Sequence, residues 1–173
     1  MRYFTIPPPD ALKDYVRFFW VLESDGGPYV HRSMADGCPE LIFHYAGVFD
    51  ELKTTGKSER SFKAGLHGQS QSFSRFGINQ PFGIFGAYLF PYALPVLFQL
   101  PASACSNQMI DLHALPGMSG AFLEEQLFAA TNNTERVQLL SAFLEKRLIQ
   151  SKIKTHDLFS AVQLIIKNNG LMR

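Results

Sequence analysis

Through residue 90 the chain advances in short apolar runs broken about every ten residues by turn formers, and beyond residue 90 that cadence gives way to helical spacing. The runs are Val16–Leu22, closed by Ser24-Asp25-Gly26-Gly27-Pro28; Tyr29–Met34, before Ala35-Asp36-Gly37; Glu40–Ala46, before Gly47; Phe62–Leu66, before His67-Gly68; Ser72–Phe76, before Gly77; and Phe82–Phe90. Strands of this length joined by glycine and proline turns predict an antiparallel sandwich or barrel. The glycines of Gly83-Ile84-Phe85-Gly86 are read as bulges or bends, which a small barrel needs at its corners. Arg17, Phe19 and Val21 alternate with Phe18, Trp20 and Leu22, and the polar Arg17 nominates the second set as inward-facing.

Helical signals follow. Pro91–Pro95 opens a short helix with Pro95 in its first turn, and Pro101 stops it. Ser119 is expected to cap a helix running through Ala130 with Phe122, Leu123, Leu127 and Ala130 on its apolar face. Asn132 and Glu135 resemble a capping box ahead of Val137, Leu140, Leu144 and Leu148. A last helix is expected from Asp157 to Asn168-Asn169-Gly170, burying Leu158, Val162 and Ile165. The fold class is therefore α+β, with a β-rich unit over 1–100 and a helical subdomain over 101–173. Pro7-Pro8-Pro9 reads either as a stiff lead-in to a turn capped by Asp10 or as a ligand for a proline-binding module.

Charge narrows the function. Charged residues are 18% of the chain and hydrophobic ones 46%, which excludes disorder. The net charge of +1 does not mark a nucleic-acid binder. Seven Lys/Arg face three Asp/Glu from Thr134 onward, against nine and twelve before it, a change of sign that supports two structural units. Cys38 and Cys105 stand outside any CxxC pair and are read as reduced thiols, although a single disulfide is arithmetically open. The N-terminus lacks an apolar signal core and no run reaches membrane-spanning length, so we expect a cytoplasmic protein without a membrane partner.

Motifs for catalysis are missing: no HExxH, HxH, GxSxG or phosphate loop occurs. Glu40 and His44, four apart on one strand, share a face. They point either into a barrel or to solvent, and His31 on the preceding strand could join them. That spacing matches no known ligand pattern, so neither a metal nor a cofactor is expected, and no enzyme activity. The aromatic residues of several strands are core by default, yet together they suit a pocket for a flat or apolar ligand. Trp20, Glu40, His44, Phe85 and Tyr88 are the candidate ligand-binding residues. Leu139 and Phe143 fall beside the main stripe of their helix and are either a dimer surface or part of the packing onto the β unit.

Several segments taken together resemble a known family. Pro7-Pro8-Pro9-Asp10-Ala11-Leu12 through Tyr15-Val16-Arg17-Phe18-Phe19-Trp20 is similar to the opening of the domain that precedes the helix-turn-helix region in AraC-type transcriptional regulators. Met34-Ala35-Asp36-Gly37-Cys38-Pro39-Glu40-Leu41-Ile42-Phe43 resembles another segment of that domain, with Ala35 where proline is usual. Gly65–Gln69, Phe82–Leu94, Asp111-Leu112 and the helices from Ser119 to Gly170 follow its layout. The resemblance implies a cupin-like, jelly-roll-like β-barrel with helices that senses a small-molecule effector, holds a homodimer together, or both. It also implies attachment to a DNA-binding domain, whose two helix-turn-helix motifs would begin near Arg173, so that DNA is a partner only through that domain. The alternative is a free-standing cupin-like carrier or metal-dependent enzyme using Glu40, His44 and His31.

Overall fold

The computed structural model describes residues 1–116 and 120–153 together with 162 and 164. Among the described residues, ten strands and three α-helices follow in order: β1 (Arg2–Ile6), β2 (Val16–Ser24), β3 (Tyr29–Ser33), β4 (Glu40–Ala46), β5 (Asp50–Leu52), β6 (Ser58–Arg60), β7 (Ala64–His67), β8 (Ser74–Ile78), β9 (Phe82–Leu89), α1 (Ala93–Phe98), β10 (Met109–Asp111), α2 (Gly120–Ala129) and α3 (Asn133–Gln150). The chain is α+β, as expected. All described strand pairs are antiparallel, in a six-stranded sheet ordered β1-β2-β9-β4-β7-β10 and a four-stranded sheet ordered β3-β8-β5-β6.

The two sheets do not close into a barrel: β1 and β10 end the larger, β3 and β6 the smaller. The reason lies in which faces are buried. Along β2, Phe19 and Val21 pack in a cluster with Leu41, Phe43, Leu66 and Phe85 against helix residues such as Leu97, Leu127, Leu140 and Leu144. The alternate residues Trp20 and Leu22 join Ile84, Phe82, Phe49 and Ile78 between the sheets. The larger sheet is therefore a middle layer, covered by the smaller sheet on one face and by helices on the other, rather than a wall curling onto itself. Phe18, Trp20 and Leu22 face the inter-sheet space as alternation predicts, but the larger core lies on the opposite face. β10 adds to this sheet from beyond residue 100, and the helices share its core.

The β4–β9 register shifts between His44 and Ala46, opposite Gly83, as the bulge reading expects, while Gly86 stands in regular register with Trp20 and Ile42. A Cβ on Gly86 would stand 2.5 Å from the Trp20 indole, and one on Gly83 would enter the Tyr45 ring. Each glycine seats a ring from the neighbouring strand, a close approach that any side chain would block.

In the helical part, Asn132 Oδ1 accepts from the Glu135 amide at 2.9 Å, as the capping box predicts. Glu135 reaches back one residue further than expected, to the Thr131 amide at 2.8 Å. Leu140 and Leu144 are fully buried, with Val137 and Leu148 packed beside them. Leu139 and Phe143 are half-buried and also pack against this core. Phe122, expected on the apolar face of α2, is 65% exposed, because Leu123, Leu127 and Ala130 already fill the stripe facing the core. The Ser119 cap and most of the expected final helix lie outside the described residues. Cys38 and Cys105 are both free thiols. Among the described residues no helix is long and apolar enough to cross a membrane.

Candidate functional site: a cavity between the sheets

A cavity of about 50 Å³ lies between the two sheets. On the larger sheet it is walled by Trp20 of β2, by Glu40, Ile42 and His44 of β4, and by Ile84 of β9. The period of two along β4 puts Glu40, Ile42 and His44 on one face, so the interior alternative for the Glu40/His44 pair is the one observed. His31 and Ser33 of β3 and Phe76 of β8 close it from the smaller sheet, with Phe49 and Phe62 from the connections.

His67 completes the set and was not singled out from sequence. It stands directly across from Glu40 in the β4–β7 register, and its ring meets Phe76 edge-on at 5.8 Å. Trp20, Glu40, His44 and His31 are thus brought together, while Phe85 and Tyr88 are not part of the lining. Phe85 neighbours Ile84 on β9, and strand alternation sends it to the helix-covered face, where it stacks on Phe19 at 5.9 Å. Tyr88 packs on Phe18 at 4.8 Å instead.

Burial sets the charge of this cavity. The Glu40 carboxyl is pushed up to about 8, first by desolvation and then by the nearby Asp36 carboxylate; Trp20 opposes this. Desolvation lowers His44 to about 4, and it lowers His31 and His67 as well. His44 Nδ1 lies 3.3 Å from the Lys63 carbonyl, which can only accept, so Nδ1 carries the proton and Nε2 is left as an acceptor. The Trp20 indole N–H is buried without a hydrogen bond of ordinary geometry. At neutral pH the cavity is therefore almost free of net charge while rich in polar atoms. Among the described residues, no three His, Cys, Asp or Glu side chains come together in a way that could hold a metal ion.

These groups leave a signature in stability. The unfolded chain takes up histidine protons below about 6.5 that the folded cavity refuses, so stability is lost as the pH falls from there through about 4. For His44 the loss is on the order of 3 kcal/mol. Glu40 acts in the opposite sense: the folded chain keeps a proton that the unfolded chain releases near 4.5, and this contribution is lost as the pH rises toward 8. Three histidines outweigh one acid below 6.5. Urea unfolding is expected to show greatest stability near pH 6.5, with a decline by pH 8 that Glu40→Gln abolishes; an unchanged decline in that variant would contradict the assignment.

Residues 4–111, which hold every lining residue of the cavity, match the profile of a family described as "Domain of unknown function (DUF6597)". No curated protein and no solved structure matches the chain.

Proposed function

The chain belongs to the DUF6597 family, and from that premise we propose that it is the effector-sensing and dimer-forming regulatory domain of an AraC-type DNA-binding transcriptional regulator. The observation that carries this reading is the cavity itself: four polar side chains from three strands, Glu40, His44, His31 and His67, converge on one tryptophan between two sheets. A core has no need of such a set, whereas a binding site uses a few convergent polar groups to orient a ligand. The sequence resemblance to the AraC-type regulatory domain supplies the biological setting, and we read the two-sheet sandwich as an open, cupin-like jelly roll.

The sheet provides the route by which occupancy is felt elsewhere. Strand β4 presents Glu40 and His44 to the cavity, while Tyr45, beside His44, turns to the helix-covered side beneath the Arg136 guanidinium, 3.8 Å from its ring. A ligand that favours one setting of β4 therefore favours one placement of α2 and α3, a population shift passed to the attached DNA-binding domain. A second copy would meet the outer edges of Leu139 and Phe143 on α3.

Two measurements test the parts. A ligand present at a hundred times its dissociation constant stabilises the folded state by about 2.7 kcal/mol. A metabolite panel is accordingly expected to contain compounds that raise the thermal midpoint; a panel without effect contradicts the sensing role. Sedimentation equilibrium is expected to show a concentration-dependent dimer, and a strict monomer at high concentration removes the dimer-forming role alone.

A further inference from the structure

The lining of the cavity contains one carboxyl, three imidazoles and two hydroxyls, but no lysine and no arginine. Phe49, Phe62, Phe76 and Trp20 supply rings around these groups. The Trp20 N–H is buried, makes no hydrogen bond of ordinary geometry, and favours the charged form of the Glu40 carboxyl beside it. On the sensing role proposed above, and deepening it, we propose that the cavity binds a small organic ammonium ion, its charged nitrogen beside Glu40 and within the aromatic side chains.

Each feature of the wall favours a cation over its alternatives. Aromatic faces attract cations, tryptophan most of all. Imidazole nitrogens, the Ser33 and Ser61 hydroxyls and the Glu40 oxygens offer lone pairs to ammonium N–H donors. Neutral histidines present no like charge. Without a ligand, Glu40 keeps its proton in about nine of ten molecules at pH 7, given a value of about 8. An arriving ammonium draws that proton off to solvent at a cost of about tenfold in affinity, and the carboxylate so formed is a stronger acceptor for the Trp20 N–H, which already favours the charged form of Glu40. An anion would find no basic partner in the wall. At the mouth, where an outer cleft shares Ser61, Phe62, His67 and Met109 with the cavity, the bases already have acidic partners: Lys53 holds Glu51 at 2.6 Å and Glu59 at 3.2 Å, and Arg60 faces Asp50 at 4.0 Å. The volume limits the ligand to a few heavy atoms.

A matched trio of probes isolates charge from size: butylammonium, 1-butanol and butyrate, each titrated at pH 7 and constant ionic strength while the emission of Trp20, the one tryptophan of the chain, is followed. Butylammonium is expected to give a saturable change at least tenfold tighter than butanol, with no response to butyrate, and Glu40→Gln is expected to bring the ammonium down to the level of the alcohol. Butanol or butyrate binding as tightly as the ammonium overturns the proposal while leaving a ligand cavity in place. Silence of all three overturns it as well, and the sensing role then stands or falls on the metabolite panel alone. Should Glu40→Gln fail to fold, the ranking of the three probes on the unaltered chain decides.

Discussion

Phe85→Ala is expected to destabilise the chain by about 3–5 kcal/mol while leaving the folded cavity able to bind its ligand. Phe85 is fully buried, lies across from Val21 on one side and Phe43 on the other, and stacks on Phe19. Its ring sits in the layer between the larger sheet and the helices, where α1, α2 and α3 close the space above it. Truncation removes the transfer free energy of the ring and leaves a hole that fully buried neighbours on both strands cannot fill. In urea the midpoint should fall with little change in the slope. A loss below about 1 kcal/mol, or a direct loss of ligand response in the folded variant, would show that the ring faces the cavity after all.

Arg136→Leu is expected to cost about 3 kcal/mol and to loosen the helices from the sheet. Arg136 is 7% exposed; its Nε donates to the Leu127 carbonyl at 3.2 Å, one Nη to the Ala130 carbonyl at 2.7 Å and the other to Asn133 Oδ1 at 2.9 Å. Leu127 lies in the last turn of α2 and Ala130 directly after it, where carbonyls have no partner within the helix. The guanidinium also covers the Tyr45 ring, whose hydroxyl donates to Glu23, and Glu23 accepts from Asn133 as well. One side chain therefore ends α2, fixes the start of α3 and rests on the strand that carries Glu40 and His44. Leucine keeps the volume but leaves two buried carbonyls unbonded. Arg136→Lys is expected to recover only part of the loss, because an ammonium cannot donate along three fixed directions while lying flat on a ring. Hydrogen exchange should quicken in α2 and the first turns of α3 before it does in β2 or β9; uniform quickening would contradict a local junction.

Legibility in the sequence followed the range of the interactions involved. Strand β4 is found with the expected ends, and its Glu40 and His44 share a face, because alternation is a property of one strand alone. The inward set of Phe18, Trp20 and Leu22 was readable for the same reason, with Arg17 marking the other side. Phe85 was not, because β9 is apolar on both faces and alternation then fixes relative sides without saying which one holds the cavity. His67 was missed because its partner Glu40 lies on a strand separated from it by β5 and β6, and nothing local announces that pairing. Gly83 and Gly86 read as bulges or bends, and the register does shift opposite Gly83, but the rings of Tyr45 and Trp20 that the two glycines seat come from other strands. Strands β5, β6 and β10 have three residues each, too few for a periodic pattern, and they draw their stability from neighbours.

Histidine ring signals provide the most direct test that the space between the sheets is where a ligand acts. His31, His44 and His67 line it, whereas His113 stands on the surface with Nε2 3.0 Å from Glu124 and serves as an internal reference. With ¹⁵N-labelled imidazoles and a compound that raises the thermal midpoint, the account predicts that the signals of His31, His44 and His67 move together in a saturable way while that of His113 stays in place. Movement of His113 with the three cavity histidines unchanged would contradict it.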